Sequence, residues 1–155
     1  MQIEIDGWRL RLTFSAAHVI IGHERCGRLH GHDYAISVRL EGEPGDDGMV
    51  MDFGILKDMV RDIVKGLDHK FLVAKRHKNV TIKGDTVTMK SGTSVYQVPL
   101  CDCAVLDIGQ TSAEELATCI GKKLKAKLAG LDNLTSLQVK VEEGMGQSIW
   151  HSVKL

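Results

Sequence analysis

An α+β fold is what this sequence predicts, from three observations. Apolar and polar residues alternate as in strands near both ends, two stretches between them carry apolar residues at helical spacing, and short turn-bounded strands separate those stretches. Trp8, Leu10, Leu12, Phe14, Ala16 and His18 alternate with Arg9, Arg11, Thr13, Ser15 and Ala17, which predicts a strand ending at His18. His30, His32, Tyr34, Ile36, Val38 and Leu40 repeat the pattern, with Asp33, Ser37 and Arg39 on the other face. A helix follows over 53–67, with Asp52 as N-cap and Leu56, Met59, Val60, Ile63, Val64 and Leu67 as its buried stripe. The second helix opens at Ser112, which forms a capping-box pattern with Glu115, and runs through Leu116, Ile120, Leu124 and Leu128 to Gly130. Between the helices, 80–83, 86–89 and 94–98 read as short strands, a small inserted sheet or hairpin within an insertion at 71–110. Segments 137–143 and 148–155 close the chain as a hairpin around Gly144-Met145-Gly146.

A chain of 155 residues is expected to form one domain, 1–155, with a core that needs no staples. Its 20 acidic and 20 basic residues balance, which removes any global electrostatic reason for a nucleic-acid or membrane partner. The basic cluster Lys75-Arg76-His77-Lys78 is short and reads as a solvated loop. No apolar run approaches the roughly 18 residues of a membrane span, and Met1 leads into a charged strand, so a cytoplasmic location is expected. The four cysteines lack the spacing of a disulfide framework and are expected to be reduced.

Chemistry concentrates in Cys26-Gly27-Arg28-Leu29-His30-Gly31-His32, with His18 eight residues before the cysteine. If the first two strands pair antiparallel, His18 leaves one where His30 and His32 enter the next, and three imidazoles meet at one end of a buried face. Three histidines beside an open position suit a catalytic zinc rather than a closed structural site. The alternative is a pair of core histidines in a hairpin, with His23 and Cys26 as loop residues. Gly31 would let the backbones approach, and the loop over 19–29 would hold Cys26 above the histidines.

Two further groups stand out. Leu137, Val139, Val141 and Glu143 share a strand face, so Glu143 is expected toward the core and Glu142 toward solvent. A carboxylate ending an apolar stripe needs a partner, either a ligand with several N–H donors or a salt bridge at the strand end. Asp68-His69 follows the first helix and is either a proton relay for Cys26 or a capping and surface pair. Cys101 and Cys103 could offer soft metal ligands, but no matching pair follows, and chance loop thiols are the simpler account.

Five blocks in order carry a family resemblance: Phe14-Ser15-Ala16-Ala17-His18, the 26–32 stretch, Gly48-Met49-Val50-Met51-Asp52-Phe53, Leu67-Asp68-His69-Lys70 and Val139-Lys140-Val141-Glu142-Glu143. Together they resemble the 6-pyruvoyl-tetrahydropterin and 6-carboxytetrahydropterin synthases of the tunnelling fold. That resemblance implies a four-stranded antiparallel sheet with two antiparallel helices on one face. It also implies a homo-oligomer, a hexamer or related barrel, with active sites at subunit interfaces. It implies one zinc per chain on His18, His30 and His32, Cys26 as proton-abstracting base, Asp68 and His69 as its relay, Glu143 as pterin anchor and relay member, and ring contacts at Ser112. The three-residue gap between Cys26 and His30 is similar to that of the carboxytetrahydropterin synthases. The implied reaction converts the pterin triphosphate 7,8-dihydroneopterin triphosphate into 6-carboxy-5,6,7,8-tetrahydropterin, releasing triphosphate and acetaldehyde, toward queuosine or archaeosine. The alternatives are a 6-pyruvoyl-tetrahydropterin synthase, a dihydroneopterin aldolase-like lyase, and a zinc-dependent pterin-binding module without turnover.

Overall fold

A computed structural model describes residues 1–155. Ten strands and two helices follow in the order β1 (Gln2–Ile5), β2 (Thr13–His18), β3 (His30–Gly42), α1 (Phe53–Lys65), β4 (Lys70–Ala74), β5 (Val80–Lys83), β6 (Thr86–Ser91), β7 (Ser94–Pro99), β8 (Cys103–Leu106), α2 (Ala113–Lys127), β9 (Leu134–Glu143) and β10 (Ser148–Lys154). A short 3-10 turn, Leu100–Asp102, joins β7 to β8. The main sheet runs β10-β9-β3-β2-β4-β8, with β1 also paired to β3, and β5-β6-β7 form a second sheet.

The expected four antiparallel strands form one continuous run of this sheet, β10-β9-β3-β2, and the sheet is wider than expected. β4 joins β2 in parallel, and β8 joins β4 in parallel. Only 80–99 of the anticipated insertion therefore stands apart from the main sheet. Alternation could not reveal β4 and β8. Phe71, Leu72, Val73 and Ala74 are all buried because both faces of β4 are covered, and such strands read as plain apolar runs.

The strand predicted from Trp8 is also corrected, because β2 begins at Thr13. Residues 7–11 form turns in which the Arg9 amide donates to the Asp6 side chain (2.8 Å), the Leu10 amide donates to the Asp6 carbonyl (3.1 Å), and Arg11 adopts φ 54°. Leu12 alone drops into the core from that turn while Leu10 stays exposed.

Both helices bury their stripes on the same face of the sheet. Leu56, Val60, Ile63 and Val64 of α1 and Leu116, Ala117, Ile120 and Leu124 of α2 pack with Phe14, Tyr34, Ile36, Val38, Val139 and Val141. Asp52 caps α1 by accepting the amides of Gly54 (2.5 Å) and Ile55 (3.1 Å). A smaller apolar cluster on the opposite side joins Val19, Ile21, Phe71 and Val73 to Val87 and Met89 of β6. No helix is long and apolar enough to cross a membrane.

Candidate metal and pterin site

Register brings the three histidines together. β2 and β3 pair His18 with His30 and Ala16 with His32, so all three side chains leave the same face at the end of the hairpin. Gly31 is required between them, since a Cβ there would lie 2.8 Å from the Ala16 carbonyl oxygen. The ring centroids are 4.5, 5.2 and 5.1 Å apart, and one ligand nitrogen from each lies within 4.8 Å of the others.

Hydrogen bonds define which nitrogens are free. His18 Nδ1 lies 2.9 Å from the Thr111 carbonyl oxygen, and His30 Nδ1 lies 2.8 Å from that of Arg28. A carbonyl only accepts, so both Nδ1 atoms carry a proton, and in the neutral rings both Nε2 atoms carry lone pairs. Those Nε2 atoms face each other at 3.1 Å. Two lone pairs at that separation repel unless a cation lies between them, and a carbonyl holding the distal N–H is the usual support of a metal-binding imidazole. Burial pushes the His18 pKa down to about 4, despite the Thr111 hydrogen bond, which keeps the ring neutral. The donor set therefore fits a zinc ion.

Glu143 joins this face from β9, directly opposite Tyr34 on β3. The Tyr34 hydroxyl donates to Glu143 Oε1 (3.5 Å) and lies 3.4 Å from His18 Nδ1. Burial raises the Glu143 pKa, and His32 and the Tyr34 hydrogen bond act against that rise. A hollow of about 200 Å³ adjoins the carboxylate and is lined also by Glu114, Gln147 and Ser148.

Glu142 is not solvent-facing as expected. It points to the other side of the sheet but is only 6% exposed, with Lys140 Nζ 3.0 Å from its Oε2. Face and burial separate here, for Lys140 shares that face and pairs with the carboxylate.

Ser112 stands at the N-cap of α2. Its hydroxyl caps α2 by accepting the Glu115 amide at 3.5 Å, and Glu115 turns toward Arg76 (3.8 Å). Glu114, in the first turn of α2, is the acidic residue that reaches the Glu143 hollow. Sequence reasoning passed over it, although its place two residues after the cap was the available signal. Thr111 was also missed, and nothing could have shown it, because it contributes only a backbone carbonyl.

Asp68 and His69 form a pair, with His69 Nδ1 2.8 Å from Asp68 Oδ2. β2 orients them: the Ser15 amide donates to Asp68 Oδ1 (2.8 Å), and the His69 amide donates to the Ser15 carbonyl (2.8 Å), with His69 at φ 57°. The Ser15 amide, aided by His69, holds the Asp68 carboxyl below its ordinary pKa. An open groove of about 700 Å³ runs from His69 and Lys70 past Ser15 to His32 and Asp33, with Val98 and Asp102 on its rim.

Cys26 is half-buried in the β2–β3 loop. Its amide donates to His23 Nδ1 (3.0 Å) and its carbonyl accepts the Ile20 amide (2.8 Å), so His23 serves the loop rather than the histidine cluster. No hydrogen bond links the Cys26 thiol to Asp68 or His69 within the chain. Cys101 and Cys103 lie together beside Lys70, outside the three-histidine cluster.

Comparison with known proteins agrees on one family. The profile described as 6-pyruvoyl tetrahydropterin synthase matches residues 9–153. A Methanocaldococcus jannaschii protein, provisionally named 6-carboxy-5,6,7,8-tetrahydropterin synthase, is 37% identical over 152 residues, covering 95% of this chain and 93% of its own. A Rickettsia felis protein named 6-carboxy-5,6,7,8-tetrahydropterin synthase is 29% identical over 136 residues, covering 86% of this chain and 90% of its own. Among solved structures, a Plasmodium vivax 6-pyruvoyltetrahydropterin synthase with a catalytic glutamate changed to alanine superposes with TM-score 0.88 at 28% identity. That match covers 100% of this chain and 98% of the other.

Proposed function

Since the chain belongs to the 6-pyruvoyl tetrahydropterin synthase family, we propose that it converts 7,8-dihydroneopterin triphosphate and water into 6-carboxy-5,6,7,8-tetrahydropterin, triphosphate and acetaldehyde, for deazaguanine synthesis. The observation that carries this reading is the pair of Nε2 lone pairs facing each other at 3.1 Å, with Glu143 on the same sheet face. The names of the archaeal and rickettsial relatives support the carboxy product.

His18, His30 and His32 would hold one zinc ion, which supplies Lewis-acid polarisation of the substrate's side-chain oxygens. Glu143 accepts the N–H edge of the pterin through charge-assisted hydrogen bonds, and the Tyr34 hydroxyl steadies the carboxylate. Cys26 moves protons on the side-chain carbons. His69, its Nδ1 proton directed to an ionised Asp68, keeps Nε2 free to exchange a proton with that thiol. The His69 side chain is 84% exposed. We assign the partner of Cys26 to a neighbouring subunit's Asp-His pair, in line with active sites shared between subunits of a homo-oligomer.

A second reading, 6-pyruvoyl-tetrahydropterin synthase, is favoured by the full-length superposition on the Plasmodium enzyme. Mass spectrometry of the product from dihydroneopterin triphosphate separates the two. The carboxy product with acetaldehyde is expected, whereas 6-pyruvoyl-tetrahydropterin would replace the first reading with the second.

A further inference from the structure

The sheet β5-β6-β7 contributes no candidate ligand, yet it meets the loop carrying Cys26 along its length. At the start of that loop, Val19 and Ile21 bury against Val87 and Met89 of β6. In the middle, Gly27 is pressed onto the sheet. A Cβ there would lie 3.0 Å from Ser91 Oγ and would overlap the His23 carbonyl oxygen. At the end, the Leu29 amide donates to the hydroxyl of Tyr96 on β7 at 3.3 Å. Tyr96 itself packs against the second apolar cluster, so its ring is held independently of the hydroxyl.

We propose that β5-β6-β7 braces the Cys26 loop and that Tyr96 is a positioning residue, its hydroxyl fixing Leu29 and thereby setting Cys26 and His30 relative to one another. This rests on the reading of Cys26 as the base. Leu29 directly precedes His30 and lies three residues after Cys26, so freedom at its amide reaches both. Water can replace the lost acceptor at this exposed site, so folding is barely affected. A proton-transfer geometry is less forgiving, because a displacement of about 1 Å can cost on the order of a hundredfold in rate.

Tyr96→Phe keeps the ring and removes the acceptor. The expected result is a kcat lowered about threefold to tenfold with KM and zinc content unchanged, and faster amide hydrogen exchange in fragments covering 22–30. Val95→Ala, on the exposed face of the same strand, should change none of these. Unchanged exchange, or unchanged kcat, in Tyr96→Phe overturns the proposal. Cys26→Ala measured alongside keeps the two claims apart. Its loss of turnover upholds the reading of the base whatever Tyr96→Phe does. Retained turnover would remove that reading and with it the positioning role, leaving the exchange result to judge the brace alone.

Discussion

His18 and His30 present two unprotonated Nε2 atoms to each other while both Nδ1 protons are committed to carbonyls. A cation held between them would relieve the repulsion of those lone pairs. Purified protein should carry about one zinc per chain. His30→Ala should lose most of it, whereas His23→Ala should keep it, because His23 bonds the Cys26 amide instead. Equal metal content in His30→Ala and wild type would sink the assignment. The neighbouring carboxylates should also behave differently. Glu143→Gln should weaken pterin binding by about tenfold to a hundredfold, the scale of a charged hydrogen bond of roughly 1.5–3 kcal/mol, as read by titration calorimetry. Glu142→Gln should leave affinity nearly intact, and the reverse ranking would reject Glu143 as the anchor. The face of each residue was legible in the sequence because side chains alternate regularly along β9 from Leu137 to Glu143. Their burial was not, because it depends on what covers each side of the sheet.

Among the elements, the long strands and both helices were legible because each is covered on one side and leaves a period. The Asp6-to-Leu12 turn was misread for the same reason. Alternation of Trp8, Leu10 and Leu12 is also what a turn with one buried foot produces, and Asp6-Gly7 was the overlooked turn signal. α1 gives the plainest energetic test. Leu56 is fully buried between α1 and the sheet, so Leu56→Ala should cost about 2–5 kcal/mol in chemical denaturation. Ile55, next to it and 55% exposed, should cost less than about 0.5 kcal/mol on the same change. Similar losses for the two would show that α1 is rotated about its axis.

At the scale of the whole molecule, one chain brings the three histidines together with Glu143 on one sheet face and pairs Asp68 with His69, but it leaves the Cys26 thiol without a hydrogen bond to either of that pair. Strand phase pointed to the histidines and Glu143 in the sequence, whereas the roles of Cys26, Asp68 and His69 came from the family resemblance. Which groups meet depends on loop paths that no local pattern encodes. The sheet also ends in two strands, β10 and β8, each paired on one side only, an arrangement open to further association. The Cys26 thiol carries the proposed chemistry most directly. Turnover of dihydroneopterin triphosphate by zinc-loaded Cys26→Ala, with pterin affinity and metal content measured on the same sample, is the deciding measurement. Turnover should fall by about a hundredfold or more while affinity and zinc stay at wild-type levels. Undiminished turnover in Cys26→Ala would contradict the account even with the zinc site intact.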